Sequence, residues 1–184
     1  MHPFQKAKLI VKKLPATVRA IDFGAGDAKW VARQAKIRPN DRYVAVDTEY
    51  VRHPKRPRIK NLTILPAQAG DVIEMLKKEG KRTKYAVVRM PIPGYTVPEG
   101  SARALFDLRE LISEAKNFLT PDGAILITTE SERVERHLVE VAQENGMRIK
   151  KRPLGVPITE WEKKQFKNKS SIHLYMLKLN NSKK

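Results

Sequence analysis

Short apolar runs of strand length alternate along this chain with stretches whose apolar residues repeat at helical spacing. That alternation constrains the fold more than any other feature. VRAIDF (18–23), YVAVD (43–47), NLTILPA (61–67), KYAVVRM (84–90) and GAILITTE (123–130) read as five strands. Helical patterns lie between and around them: an amphipathic N-terminal helix at 4–13, a helix at 27–36 with Asp27 as N-cap, one from Asp71 to Glu79 closed by Gly80, a long one at 101–118, and one at 131–145 ended by Gly146. MRIKKRPL (147–154) and SIHLYMLKL (171–179) are the last two strands; no helix separates them, so they should pair antiparallel. Strands joined through helices form βαβ units. The expected architecture is therefore α/β: a seven-stranded, mostly parallel sheet with helices on both faces and an antiparallel last strand. The 184 residues fit a single domain, with a helical extension at 1–17, a core at 18–179 and a flexible basic tail at 180–184.

The chain carries 37 Lys and Arg against 20 Asp and Glu, a formal net charge of +17. Such an excess favours a polyanionic partner, nucleic acid above all. A membrane surface fits less well, because no long basic amphipathic helix is present. No apolar run has the length of a membrane span, and the first residues lack a signal-peptide core, so the expected location is cytoplasmic. The absence of cysteine excludes disulfides, thiolate metal sites and thiol nucleophiles, and the four histidines show no metal-ligand spacing, so no metal is expected. Residues 52–60, RHPKRPRIK, stand where a helix would be usual; Pro54 and Pro57 forbid one. The segment reads as a basic loop whose Arg52, Lys55, Arg56, Arg58 and Lys60 are candidate RNA contacts, or as a solvated connection.

The first strand ends in Asp22-Phe23-Gly24-Ala25-Gly26-Asp27-Ala28. Glycines at 24 and 26 permit a tight turn and close approach of a ligand. A dinucleotide fingerprint would place a third glycine at 29, where this chain has Lys, so an oxidoreductase is disfavoured. The second strand ends in Asp47, 21 residues beyond Gly26. An acid there accepts hydrogen bonds from ribose hydroxyls. Gln68 and Ala69 follow the third strand, where an adenine edge would be read. Taken singly, these features are equally a structural turn, a helix cap and a loop amide; their joint spacing points to a nucleoside.

These motifs resemble the class I methyltransferases over about residues 18–179. The resemblance implies a Rossmann-like core and S-adenosylmethionine as methyl donor. Asp22, Gly24 and Gly26 would lie near its methionine part, Asp47 on the ribose and Gln68 with Ala69 by the adenine. More closely, the chain resembles the tRNA (guanine-N7-)-methyltransferases. Met90-Pro91-Ile92-Pro93-Gly94 is similar to that family's Phe-Pro-Asp-Pro-Trp, Thr128-Thr129-Glu130 to its Thr-Asp strand ending, and Pro157-Ile158-Thr159-Glu160-Trp161-Glu162-Lys163-Lys164 to its Thr-Lys-Phe-Glu stretch. That implies Met90 and Pro91 against the donor, Thr159 and Glu162 facing donor and target base, and Glu160 as a second carboxylate. Trp161, Lys163 and Lys164 would contact RNA. Ile92 stands where the family has an acid and Gly94 where it has tryptophan.

Chemistry narrows the target. Pyrimidine C5 methylation uses a cysteine nucleophile, which is absent, and Met90-Pro91-Ile92-Pro93 lacks the amide and aromatic of an exocyclic-amine enzyme. A purine ring nitrogen offers an in-plane lone pair and needs chiefly orientation. The leading expectation is methylation of tRNA at guanine N7. The alternatives are ribosomal RNA at adenine N1, or a non-catalytic RNA-binding protein that kept the fold.

Overall fold

A computed structural model describes residues 3–25, 28–47, 58–89, 108–129, 132–153 and 173–180. In chain order the elements are α1 (Pro3–Lys13), β1 (Thr17–Phe23), α2 (Lys29–Ile37), β2 (Tyr43–Val46), β3 (Leu62–Leu65), α3 (Ala69–Lys78), β4 (Arg82–Arg89), a helical stretch at 108–113 continued by α4 (Ala115–Phe118), β5 (Leu119–Thr129), α5 (Glu132–Glu144), β6 (Met147–Pro153) and β7 (His173–Leu179). The seven strands form one sheet in the order β3-β2-β1-β4-β5-β7-β6. β3, β2, β1, β4 and β5 are mutually parallel, and β7 runs antiparallel to both its neighbours. The sequence expectation of a mostly parallel sheet with an antiparallel last strand is met.

Alternating side chains divide the core between the two sheet faces. On one face Ile21, Phe23, Val44, Val46, Ile125, Ile127, Tyr175 and Leu177 pack with residues of α1, α3, the 108–118 helix and α5. On the other, Ala20, Tyr43, Ala45 and Val87 pack with Val31 and Ala35 of α2. Small residues on this second face let α2 sit close to β2 and β3. Asn61, buried just before β3, fastens the helix: its Nδ2 donates to the carbonyls of Ala35 (2.9 Å), Arg38 (3.0 Å) and Asp41 (2.8 Å). The amide thereby ties the last turn and C-cap of α2 to the connection that follows, where Asp41 N also donates to Arg38 O (3.2 Å).

Several boundaries differ from the sequence reading. The α2 cap is Ala28, in left-handed conformation (φ 52°, ψ 18°), with no side-chain cap bond. Asp27, the expected cap, lies outside the described residues. The helix starts later because Ala28 N donates to Ala25 O (2.9 Å), closing a turn, before Ala28 O accepts the first helical bond from Ala32 N (2.9 Å). α3 begins at Ala69 rather than Asp71. β5 begins at Leu119, which pairs with Thr83; the next pair is Tyr85 with Ala124, so Thr120–Gly123 bulge out of register. Gly123 permits the bulge. A Cβ there would lie 2.9 Å from Thr120 O and 3.0 Å from Lys84 O. Gly123→Ala must move backbone and is expected to cost about 1–3 kcal/mol. Urea unfolding measures it, and an unchanged midpoint would show that the bulge yields freely.

A polar network joins α5 to the antiparallel ribbon. Lys151 Nζ bonds Glu135 Oε1 at 2.6 Å and lies 5.7 Å from the centroid of the buried Tyr175 ring. The Lys151 ammonium, then the Tyr175 hydroxyl, hold the Glu135 carboxyl below its ordinary value of 4.5. Burial, then the Glu135 carboxylate, push the Tyr175 hydroxyl from 10.0 up to about 12, and Glu135 also raises Lys151. The raised groups stabilise the fold fully below their unfolded values and cease to do so as pH rises through their folded ones. The lowered Glu135 contributes above its unfolded value, and its contribution is lost as pH falls through the folded one. Stability is therefore expected to be level between about pH 5 and 10 and to fall on either side. In Tyr175→Phe the alkaline fall should be shallower. Urea midpoints across pH test this, and an alkaline limb equally steep in the variant would contradict it.

Candidate functional site

Three neighbouring parallel strands end together. Phe23 of β1 is level with Val46 of β2, and Val46 with Leu65 of β3. The alignment continues past the strands, as Ala25 N donates to Val46 O (3.0 Å) and Asp47 N to Leu65 O (3.2 Å). Gly24, Asp47 and the segment 66–68 consequently share one edge of the sheet. With strands about 4.8 Å apart, β1 to β3 spans roughly 10 Å, the scale of a nucleoside.

Each side chain on this edge has its place. Asp22, the penultimate residue of β1, is fully buried within the sheet. Gly24 is exposed, with φ +68°, and a Cβ built on it would meet no heavy atom within 4 Å. Among the described residues nothing crowds the backbone at this turn. Ala28, completely buried, closes the turn in the left-handed region, at a cost of about 1–2 kcal/mol for a non-glycine residue. Strain of this kind persists where the surrounding structure holds it, and it concentrates at ligand sites. Asp47 is half-buried, directly after β2. Gln68 is exposed in extended conformation and makes no side-chain cap bond to α3, and Ala69 opens that helix.

The structure thus brings together Asp22, Gly24, Asp47, Gln68 and Ala69. It puts Arg58 and Lys60 elsewhere. Both are exposed and precede β3, whose first pairing, Leu62 with Tyr43, is at the opposite end of the sheet. Arg42 Nη1 donates to Lys60 O there (2.9 Å). These two cations flank the amino ends of the strands, away from the Gly24–Asp47 edge. Gly26, Arg52, Lys55, Arg56, Met90, Pro91, Thr159, Glu160, Trp161, Glu162, Lys163 and Lys164 lie outside the described residues. Thr128 and Thr129 end β5 on the same edge as Asp47, Thr129 buried. Sequence reading did not identify Asn61, whose role shows only in three carbonyls brought together by the fold. Among the described residues no group of three His, Cys, Asp or Glu side chains could hold a metal, and no helix is long and apolar enough to cross a membrane.

No protein-family model and no curated protein sequence matches the chain. Solved methyltransferase structures do resemble it over nearly its whole length. A precorrin-6y C5,15-methyltransferase from Geobacter metallireducens GS-15 has a TM-score of 0.59 at 16% identity, covering 96% of this chain and 87% of its own. A 16S rRNA (adenine(1408)-N(1))-methyltransferase from Catenulisporales acidiphilia, with its cosubstrate S-adenosylmethionine, has a TM-score of 0.58 at 15% identity and covers 100% and 94%. A plantazolicin methyltransferase in complex with S-adenosylhomocysteine has a TM-score of 0.58 at 13% identity and covers 97% and 85%. These proteins act on unlike substrates, so what they have in common with this chain is the architecture. The chain has the Rossmann-like fold of the class I S-adenosylmethionine-dependent methyltransferases.

Proposed function

We propose that the protein is an S-adenosylmethionine-dependent methyltransferase that acts on RNA, with guanine N7 of tRNA as its target. The observation that carries the reading is the alignment of Asp22, the open Gly24 turn, Asp47 and Gln68 on three consecutive strand ends. Ligands of open α/β sheets bind beyond the carboxyl ends of the strands, where the order reverses, which in this sheet is between β1 and β4. The residues present fit the donor. In this reading the Gly24 backbone would face its methionine part, the Asp47 carboxylate would accept from the ribose hydroxyls, and the Gln68 amide would meet the adenine edge. The donor supplies an activated methyl group on sulfur.

The chain's own part in the reaction is orientation. A purine ring nitrogen attacks in line through a lone pair already in the plane, and it loses no proton, so no general base is required. Thr159 and Glu162, with Glu160 beside them, are assigned to hold the base, a carboxylate accepting from the guanine N1 and N2 hydrogens. The net charge of +17 supports a polyanionic substrate. A second reading, adenine N1 of ribosomal RNA, draws support from the likeness to the 16S rRNA enzyme, which spans the full chain.

Incubating the protein with methyl-labelled donor and total RNA, then digesting the RNA to nucleosides, tests both. Label in 7-methylguanosine from the tRNA fraction is expected. Label in 1-methyladenosine from ribosomal RNA would transfer the assignment to the second reading, and unlabelled RNA would contradict an RNA substrate.

A further inference from the structure

We propose that one face of the β6–β7 ribbon is a phosphate-binding track for the RNA substrate, an inference that rests on the RNA reading above. The ribbon's two faces differ in charge compensation. Lys151 points toward α5 and is paired with Glu135. Its neighbours in sequence, Arg148 and Lys150, alternate to the other face and are exposed. In register, Arg148 lies opposite Lys178, and Lys150 opposite Met176. These four residues line a shallow depression of about 120 Å³. Among the described residues, no carboxylate lies within 4 Å of Arg148, Lys150 or Lys178. The described helix on this face, α2, packs over the β1–β3 half of the sheet.

Charge on an edge strand also guards against strand pairing between molecules. That accounts for β6, which is the edge, but not for Lys178, since β7 is an interior strand. Three cations that no described carboxylate compensates surround the apolar Met176 and form a surface for a polyanion's backbone. A nucleic-acid strand fits it best: Arg148 and Lys150 are two residues apart on one strand, about 6.7 Å, comparable with the spacing of successive phosphates. The track also leads toward the proposed reaction edge. Across β7, Lys150 is level with Leu126 and Arg148 with Ala124 of β5, three and five residues before Thr129. At about 3.3 Å per residue the cations sit roughly 10 and 17 Å from the carboxyl edge. β6 is four strands from β1, roughly 19 Å, so the track and the donor edge are separate.

The test is the salt dependence of tRNA binding by full-length protein. The variants are Arg148→Ala/Lys150→Ala/Lys178→Ala and, as a charge-matched control, Lys6→Ala/Lys8→Ala/Lys13→Ala on α1. All six side chains are at the surface, and circular dichroism with thermal melting checks each fold; Lys178→Ala alone serves if the first triple melts early. Losing three phosphate contacts should lower the slope of log K against log salt by roughly two to three units, and losing one by roughly one. The control slope and S-adenosylmethionine affinity should not change. A wild-type slope in the ribbon variants, or equal falls in ribbon and control triples, would overturn the track. Loss of binding to anionic phospholipid vesicles with RNA binding intact would overturn it too, in favour of a lipid surface. Absence of tRNA binding by the wild type would instead remove the RNA reading on which the track rests.

Discussion

Asp47→Ala is expected to weaken S-adenosylmethionine binding by about 1.5–3 kcal/mol, the loss of a charge-assisted acceptor, which is roughly a 10- to 150-fold rise in Kd. The size follows from position. Asp47 leaves β2 where Asp47 N is anchored to Leu65 O, between the Gly24 turn on one side and Gln68 on the other. Under the proposed function a carboxylate at that point would meet two vicinal hydroxyls of a nucleoside lying along the edge, and alanine would offer them nothing. The side chain is half-buried and lies outside the apolar clusters, so the fold should survive. Calorimetric titration of the variant measures the loss, and wild-type affinity with an intact circular dichroism spectrum would remove Asp47 from the donor site.

Phe118→Ala is expected to destabilise the protein by about 3–5 kcal/mol, the cost of removing a large aromatic from a packed core. Phe118 ends α4, is fully buried, and meets Phe23 edge to face with ring centroids 6.4 Å apart. Phe23 stands between Asp22 and Gly24 at the edge proposed to hold the donor. Melting temperature should fall by roughly 6–20 °C for a domain of this length. With Phe23 losing its support, donor affinity should fall as well. A drop of under about 1 kcal/mol in urea unfolding would contradict this, because it would mean the site collapses without a cavity.

The sheet was legible because strands buried on both faces must be nearly continuous apolar runs, as VRAIDF and YVAV are. The antiparallel end was legible because β6 and β7 have no intervening helical pattern. The shared edge of Gly24, Asp47 and Gln68 was legible through glycine and acid spacing at the strand ends, since those residue types answer to backbone geometry and hydrogen bonding. What escaped depends on tertiary register. Ala28 takes a left-handed conformation that its side chain disfavours, so local propensity argued for Asp27 as the cap. The bulge at Thr120–Gly123 follows from the pairing of β4 with β5. Arg58 and Lys60 belonged to a basic run whose exit at the far end of the sheet only the β2–β3 pairing fixes. Likewise four of the seven residues of MRIKKRP are basic; the pairing of β6 with β7, and Glu135 on α5, decide which charges are compensated. Of the stretches that carry the guanine-N7 resemblance, 90–94 and 157–164 lie outside the described residues, while Thr128 and Thr129 end β5.

Titration of the purified protein with S-adenosylmethionine in a calorimeter tests the account most directly. The account predicts saturable binding of one donor per chain, displaced by S-adenosylhomocysteine and weakened at least tenfold by Asp47→Ala. Absence of binding heat at several temperatures, with the protein folded, would contradict it and leave an RNA-binding protein that has the fold without the donor.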